Sequence, residues 1–115
     1  LAMPVTFVPH LVPLDRGILE TIYARLKPGV TDAAVGDALT KAYQDAAFVR
    51  LTRSDLPEIK HVAHTNFCDI GWRVGPDGRQ LVMVACIDNL VKGAAGQAIQ
   101  NFNVAYGFDE TAGLS

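Results

Sequence analysis

The sequence contains few cysteines, no excess of positive charge and no long apolar run, and each shortage excludes a class of protein. Two cysteines, Cys68 and Cys86, are too few for a disulfide scaffold, and they lack the CxxC spacing typical of zinc or redox motifs. We therefore expect both thiols to be reduced and structural. The formal net charge is -2 and the Lys and Arg residues are scattered singly, which argues against a nucleic-acid partner.

Membrane segments are also missing from the sequence. No window approaches the roughly 20 consecutive apolar residues that span a bilayer, and the first residues lack the charged segment that opens a signal peptide. The expectation is a cytoplasmic protein with no membrane partner. Hydrophobic residues make up 50% of the chain and charged residues 19%, which is typical of globular proteins, and 115 residues suffice for one domain with a modest core.

The first half of the chain contains three strand candidates and one clear helix. Residues 4–13 combine β-forming residues with three prolines, which predicts a short edge strand that continues into an extended loop. The apolar positions of residues 18–26 fit a helix as well as a strand, so periodicity leaves this segment open. Thr31 is a typical N-cap, and an apolar stripe predicts an amphipathic helix over residues 32–46. Residues 48–51 are a short strand candidate.

A loop at residues 54–58 and then a β-hairpin are predicted next. The hairpin strands, residues 68–74 and 80–87, flank a Gly-Pro-Asp-Gly-Arg turn. Pairing of residue 75 with residue 79 would make a three-residue hairpin loop with a bulge. The pairs across the hairpin would then be Trp72 with Val82, Ile70 with Val84, and Cys68 with Cys86.

The last predicted element is a helix over residues 89–106, capped by Asp88 or Asn89 and followed by Gly107. Its first half is rich in glycine and alanine. Because an interior glycine costs roughly 1 kcal/mol relative to alanine, we expect another group to approach this helix closely. The order of the elements predicts an α+β fold with helices packed on one face of a sheet.

Two polar residues of the N-terminal loop could carry chemistry. His10 stands between two prolines, which limit backbone motion and could hold its imidazole as a general acid or base. The alternative for His10 is a loop histidine that only packs or caps. Arg16 could bind a carboxylate or phosphate with two hydrogen bonds, whereas an isolated arginine more often forms a surface ion pair.

A metal site is not predicted. Four residues resemble a loose ligand cluster, namely His61, His64, Cys68 and Asp69. Their spacing matches none of the usual zinc patterns, and no second ligand pair follows them.

The strongest local signal is the start of the last helix, where Lys92 precedes Gly93. The helix dipole disfavours a cation in the first turn, and small residues open the helix surface. Both features fit an anionic ligand or another backbone that docks there. They fit equally a tightly packed helix with a solvated lysine, and the residues alone leave both interpretations open.

Three segments, taken together and in order, resemble one known family. They are Phe7-Val8-Pro9-His10-Leu11-Val12-Pro13 with Arg16-Gly17-Ile18-Leu19, Phe67-Cys68-Asp69-Ile70-Gly71, and Asp88-Asn89-Leu90-Val91-Lys92-Gly93-Ala94-Ala95-Gly96-Gln97-Ala98. The segments closely resemble the C-terminal third of the N-acetyl-γ-glutamyl-phosphate reductases. The likeness extends over nearly the whole chain.

This resemblance implies a two-domain enzyme similar in plan to the glyceraldehyde-phosphate and aspartate-semialdehyde dehydrogenases. Residues 1–115 would be a partial C-terminal domain for substrate binding and dimerisation, so a homo-oligomer is expected. The mostly antiparallel sheet of that domain favours a strand for residues 18–26. The Rossmann domain, its dinucleotide fingerprint and the family's Pro-Gly-Cys-Tyr nucleophile motif are missing from this sequence.

The family's reaction would be reduction of N-acetyl-glutamyl phosphate to the semialdehyde in arginine biosynthesis, through a cysteine thioester and NADPH. The resemblance assigns acid-base catalysis to His10 and substrate binding to Arg16. It assigns cofactor contacts to Asn89, Lys92 and Gly93, with NADP bound mainly by the missing domain. Neither cysteine matches the nucleophile, so the isolated chain is expected to be inactive. The alternative is a non-catalytic subunit-assembly domain.

Overall fold

The computed structural model describes residues 4–53 and 55–115, which contain one four-stranded sheet and several helices. Its strands are β1 (Ile18–Arg25), β2 (Val49–Thr52), β3 (Cys68–Val74) and β4 (Gln80–Ile87). The α-helices in these ranges are α1 (Asp32–Tyr43), α2 (Ile59–Val62) and α3 (Gly96–Tyr106), and a π-helical turn (Val91–Ala95) leads into α3. None of the helices in the described ranges has the length and apolar character needed to cross a membrane.

The sheet has the order β1-β4-β3-β2 and confirms the expected α+β fold, but α1 and α2 pack on opposite faces of the sheet and not on one face as expected. Strand β4 is antiparallel to β1 and β3, whereas β2 is parallel to β3. The segment that periodicity left open is a strand, because β1 pairs along its length with β4, from Ile18 opposite Ile87 to Arg25 opposite Gln80. Strand β1 is an edge of the sheet, and all eight of its residues are exposed.

The main core lies between α1 and one face of the sheet. Its buried residues are Val35 of α1, Trp72 of β3 and Leu81 of β4. The Trp72 indole donates to the carboxylate of Asp32 over 3.1 Å, so the polar edge of the ring is satisfied while its body is buried. This bond fixes the start of α1 against the middle of the sheet.

A smaller core lies on the opposite face of the sheet, below the short helix α2. Val62 of α2 packs there with Val84 and Cys86 of β4, and Ile59 is packed against them. Gly17 lies directly beside Ile59, where a side chain would have no room, and its φ is 104°. The N-terminal segment therefore enters β1 in contact with α2.

The expected hairpin register is wrong by one residue. Gly75 donates its amide to the carbonyl of Gln80 over 2.7 Å, so residues 75 and 80 pair and four residues form the loop. The carboxylate of Asp77 accepts from the amides of Arg79 (3.0 Å) and Gln80 (3.2 Å), which holds Arg79 inside the turn. The observed pairs are Trp72 with Met83, Ile70 with Ala85, and Cys68 with Ile87.

The corrected register separates the two cysteines onto different faces of the sheet. Cys86 pairs with Asp69, the neighbour of Cys68, and successive residues of a strand point to opposite faces. The expectation that Cys68 and Cys86 face each other is therefore wrong. Both cysteines are free thiols.

Several predicted element boundaries differ from the structure; β2 and the last helical region begin one and two residues later than predicted, and two differences are larger. Residues 4–13 form no strand; they are exposed and extended, because prolines remove the amide donors that a sheet edge needs. Helix α1 ends at Tyr43, three residues before the predicted end at 46, although Thr31 caps its start as expected by accepting from an amide over 3.2 Å. Residues 55–58 lie outside helices and strands as predicted, and Ser54 lies outside the described residues.

The last helix confirms the expected close approach at its small residues. A methyl group on Gly96 would come within 2.8 Å of both the carbonyl oxygen and a methyl carbon of Val91, and it would overlap the amide oxygen of Asn66. Glycine at this position lets the junction between the π-helical turn and α3 lie directly against Asn66. The helix ends as predicted at Gly107, whose φ is 74°.

Substitution of Gly96 by alanine should destabilise the chain although alanine is the better helix former. Helix propensity alone would stabilise the variant by roughly 1 kcal/mol, but overpacking should cost about 1 to 3 kcal/mol or more. Urea unfolding followed by circular dichroism measures the difference. The exposed Ala98→Gly is the matched control for propensity, and a Gly96→Ala protein that is more stable than the parent would contradict the close packing.

Candidate functional site

The centre of the candidate site is the carboxylate of Asp88, which directly follows β4 and has no exposed surface. One oxygen accepts from the amides of Leu90 (2.7 Å) and Val91 (2.9 Å), at the start of the π-helical turn. The other oxygen accepts from the amide of His64 (2.7 Å). Both oxygens accept from Nη1 of Arg16, over 3.3 and 3.2 Å. The carboxylate thus joins three segments that are distant in sequence.

These donors keep Asp88 ionised. Burial by itself raises the pKa of a carboxyl group, but the amides of His64, Val91 and Leu90, together with Arg16, outweigh it and lower the pKa of Asp88 to about 2. A negative charge is therefore present at this position over the whole physiological pH range. The charge is balanced by Arg16 and by oriented backbone amides.

A left-handed residue completes this arrangement. His64 has a φ of 66°, which is uncommon outside glycine, asparagine and aspartate and costs some backbone energy. In this conformation its amide points at the carboxylate of Asp88. The side chain of His64 remains exposed.

Two contacts, with three hydrogen bonds between them, hold the end of the N-terminal segment, residues 4–17, against the end of β4. The first is the ion pair of Arg16 with Asp88. In the second, the amide of Gly17 donates to the side-chain oxygen of Asn89 over 2.8 Å. The structure therefore brings together Arg16 and Asn89, which the sequence assigned to substrate and cofactor respectively.

His10 lies on the exposed part of the same segment, six residues before Arg16 in the sequence. Its ring nitrogen Nδ1 is 3.1 Å from the carbonyl oxygen of Val8. A carbonyl can only accept, so the ring is a donor at Nδ1, and in the neutral imidazole Nε2 is then left as the basic nitrogen. An exposed imidazole with one nitrogen fixed and the other available is suited to proton transfer.

Lys92 lies in the π-helical turn and is neither fully solvated nor paired with a carboxylate in the described part of the chain. Its ammonium donates to the side-chain oxygen of Gln100 over 2.6 Å and lies 5.7 Å from the ring centre of Phe48. Partial burial lowers the pKa of Lys92, while the nearby Cys68 and Glu110 act in the opposite direction. The next residue, Gly93, is exposed and lies against the carbonyl of residue 88.

A polar network connects Lys92 to the inside of the domain. Gln100 accepts from Lys92 and also from the buried side chain of Asn66 (3.0 Å), and it donates to Glu110 over 2.6 Å. The amide oxygen of Asn66 is buried and has no hydrogen-bond donor among the described residues. This network fixes how α3 leaves the π-helical turn.

The cysteines do not supply a nucleophile in this structure. Burial, followed by the effect of Asp69 and Cys68, raises the pKa of Cys86 to about 11. Burial also raises the pKa of Cys68. Since the thiolate is the reactive form, these shifts favour the protonated, less reactive thiol in both residues at neutral pH.

The residues that loosely resembled metal ligands are used in other ways. Asp69 is buried and paired with Arg50 through two hydrogen bonds of 2.6 and 2.9 Å, and the backbone carbonyl of His61 accepts from the same guanidinium. In residues 4–53 and 55–115, no group of three or more His, Cys, Asp or Glu side chains could hold a metal ion.

Sequence reasoning identified Asp88 only as a helix cap and did not assign it to the site. One signal in the sequence was the position of Asp88 directly after an apolar strand. An ionised residue that is buried at such a position needs several hydrogen-bond donors. The donors, however, come from residues 16 and 64, which only the fold brings close. The roles of Asn66 and His64 had no signal in the sequence.

Acid titration should reveal Asp88 directly. Its folded pKa of about 2 lies below the unfolded value near 3.9. The stability it contributes is therefore present above about pH 4 and is lost as the pH falls toward 2. Urea unfolding at pH values between 2 and 6 should show that the free energy of unfolding falls steeply as the pH drops from about 4 to 2. In Asp88→Asn this fall should be shallower.

The matched control for the titration is Asp15→Asn, which removes an exposed carboxylate of the same segment. In Asp15→Asn the free energy of unfolding should fall between pH 4 and 2 nearly as steeply as in the parent. An Asp88→Asn protein with an unchanged dependence on pH would show that this carboxylate is not the group responsible.

Comparison with known proteins identifies relatives of this chain. The chain is 52% identical over 111 residues to an N-acetyl-gamma-glutamyl-phosphate reductase of Desulforapulum autotrophicum, covering 96% of this chain and 32% of that protein. It is 51% identical over 114 residues to the protein of the same name from Pectobacterium carotovorum, covering 99% of this chain and 34% of that protein. The chain thus spans about a third of the length of the curated relatives it matches.

Solved structures show the same fold at low sequence identity. The aspartate semialdehyde dehydrogenase II of Vibrio cholerae, complexed with ASA, matches with a TM-score of 0.61 and 19% identity, covering 84% of this chain and 30% of that one. A family model described as semialdehyde dehydrogenase, dimerisation domain, matches residues 1–89. With 89 of 115 residues inside that match, the chain belongs to the family of semialdehyde dehydrogenase dimerisation domains.

Proposed function

We propose that this chain is the C-terminal substrate-binding and dimerisation portion of an N-acetyl-γ-glutamyl-phosphate reductase that uses NADPH in arginine biosynthesis. The observation that carries the proposal is the identity of about 50% to proteins of that name over 96% of the chain. A cytoplasmic location follows from that role. The activity would belong to a longer polypeptide, because the chain spans about a third of these relatives, burial raises the pKa of both of its cysteines and its sequence contains no dinucleotide fingerprint.

His10 would hold and move the proton in this reaction. Its Nδ1 is occupied by the carbonyl of Val8, which leaves Nε2 to take the proton from the thiol of the attacking cysteine. The thiolate would displace phosphate from the acyl carbon to form a thioester, and the imidazolium would give its proton to the thioester oxygen as hydride is added to that carbon. The resulting hemithioacetal would collapse to the semialdehyde and the free thiol. The exposed position of His10 is what this role needs, because the cysteine would approach from outside the described domain.

Arg16 would bind the anionic end of the substrate. Asp88 occupies only Nη1 of its guanidinium, and in the described part of the chain Nε and Nη2 have no hydrogen-bond partner. The side chain is 29% exposed, so these nitrogens can reach a ligand. A carboxylate or phosphate of N-acetyl-glutamyl phosphate matches the planar fork that remains.

Asn89, Lys92 and Gly93 would contribute to the cofactor site only at its edge. Gly93 is exposed and lacks a side chain, so a flat group such as the nicotinamide could lie against the π-helical turn. The amide oxygen of Asn89 is used by Gly17, which leaves its amide nitrogen as the donor. When bound, NADPH supplies the hydride. Its pyrophosphate would be held by the other domain, since this chain lacks the glycine-rich loop.

The complete polypeptide should reduce N-acetyl-glutamyl phosphate, and His10→Asn should lower kcat by about 100- to 10,000-fold because the acid-base group is lost. NADP-coupled absorbance in the reverse direction, with semialdehyde and inorganic phosphate, measures both proteins. The 115-residue chain alone should show no turnover.

The matched control for His10 is His61→Asn, since both histidines are exposed and only His10 is placed in the mechanism. The control should keep nearly normal turnover. Robust activity of the isolated chain, or near-normal kcat in His10→Asn, would contradict the assignment.

The same domain should also assemble subunits, and the exposed edge strand favours this role. Leu19 and Tyr23 are 49% and 69% exposed and lie on the face of β1 that α1 does not cover. We expect the chain to form a homodimer through this face. The exposed apolar side chains would be buried against the second copy.

Sedimentation equilibrium should find a dimer, and Leu19→Asp should weaken it at least about tenfold because a charge would be buried without a partner. Glu20→Gln is the control, because Glu20 is exposed on the opposite face of the same strand. A chain that stays monomeric at all concentrations, or a dimer insensitive to Leu19→Asp, would refute this interface.

A further inference from the structure

The segments that carry the proposed site residues all contact the carboxylate of Asp88. Residues 4–17 carry His10 and Arg16 and reach Asp88 through the guanidinium. The π-helical turn carries Lys92 and Gly93 and reaches it through two amides. A third segment reaches it through the amide of His64. The geometry of the site therefore depends on one buried carboxylate.

Only a carboxylate can make this set of contacts. Three backbone amides and one guanidinium nitrogen converge on it, and both of its oxygens accept. An asparagine would present one acceptor and one donor, so its N–H groups would face Arg16 in either orientation, together with His64 in one orientation or the amides of residues 90 and 91 in the other. The contacts at the start of the turn could survive that change, whereas those to Arg16 and His64 would not all survive.

The contact with Arg16 has a directional consequence. Nη1 lies at nearly equal distances, 3.3 and 3.2 Å, from the two carboxylate oxygens, so this corner of the guanidinium is anchored at the end of β4. The anchor restricts the rotamers of Arg16 and therefore the positions that Nε and Nη2 can reach. A guanidinium that is already restricted loses less conformational entropy when it binds an anion than a freely rotating one does.

We propose that Asp88 is a positioning residue that acts through Arg16, fixing the guanidinium so that its free nitrogens receive an anionic group of the substrate; the inference rests on the proposed reductase function. Asp88 itself is completely buried and touches no substrate. Its effect should appear in substrate binding rather than in the chemical step. It therefore differs from His10, whose loss should lower kcat.

The test is a double-mutant cycle in the complete polypeptide. Arg16→Met should raise KM for N-acetyl-glutamyl phosphate about tenfold, by loss of one charged contact, with kcat within about threefold of normal. Asp88→Asn should raise KM to a similar extent. If Asp88 acts through Arg16, the double variant should show no larger KM than Arg16→Met alone.

Asp69→Asn is the matched structural control, because Asp69 is also buried and also paired with an arginine, Arg50. It should lower thermal stability and leave KM unchanged. Arg16→Lys is a second probe that does not depend on the folding of Asp88→Asn. It keeps the charge but lacks the planar fork, so KM should rise nearly as much as in Arg16→Met.

The outcomes separate this inference from the function on which it rests. No turnover in the unaltered polypeptide would overturn the reductase function. Normal turnover combined with an unchanged KM in Asp88→Asn, or effects that multiply in the double variant, would overturn only the positioning role. A normal KM in Arg16→Lys would also overturn it, since an oriented fork would then be unnecessary.

Discussion

The buried charge of Asp88 is the interaction on which the arrangement of the site depends. A carboxylate without exposed surface is tolerated only when several donors surround it. Here the donors are backbone amides of two segments and the guanidinium of a third, and their combined effect lowers its pKa to about 2. Each segment thereby donates hydrogen bonds to a buried charge that would otherwise destabilise the folded state. Because the donors come from residues 16, 64 and 90–91, the carboxylate is satisfied only when the sheet, α2 and the π-helical turn are all in place.

Two parts of the domain differ in how far their apolar side chains are buried: a packed part and an open part. The packed part is the sheet with α1 and α2, whose small cores contain Trp72 on one face and Cys86 on the other. The open part includes residues 4–15, the edge strand β1 and much of α3, where large apolar side chains are exposed. Exposure on this scale is typical of surfaces that are covered in a larger assembly. It agrees with a chain that spans about a third of its relatives.

Local signals in the sequence predicted the helices and strands better than they predicted the contacts between them. Thr31 predicted the start of α1, and Gly107 predicted the end of α3, because caps depend on neighbouring residues only. The hairpin register was wrong because it depended on whether Arg79 belongs to the turn, which the side chain of Asp77 decides. Periodicity could not distinguish helix from strand in segment 18–26; the family resemblance favoured a strand, and pairing with β4 confirms it. His10 and Arg16 could be singled out by residue type, whereas Asp88 became part of the site only through donors 24 and 72 residues away.

The division of labour in the proposed reaction follows from the same physics. A thiol needs a low pKa to attack, and burial raises the pKa of both cysteines of this domain, so in the proposed reaction the nucleophile would come from polypeptide outside these residues. In the proposed reaction the domain would supply a proton acceptor on an exposed segment and an anion-binding guanidinium anchored at one corner. These two groups would have different requirements. His10 would need freedom to meet a sulfur from another domain, and Arg16 would need a rigid support. Within the described residues, the hydrogen bonds that join residues 4–17 to the rest of the domain lie at Arg16 and Gly17, six and seven residues after His10, and this arrangement would suit both roles.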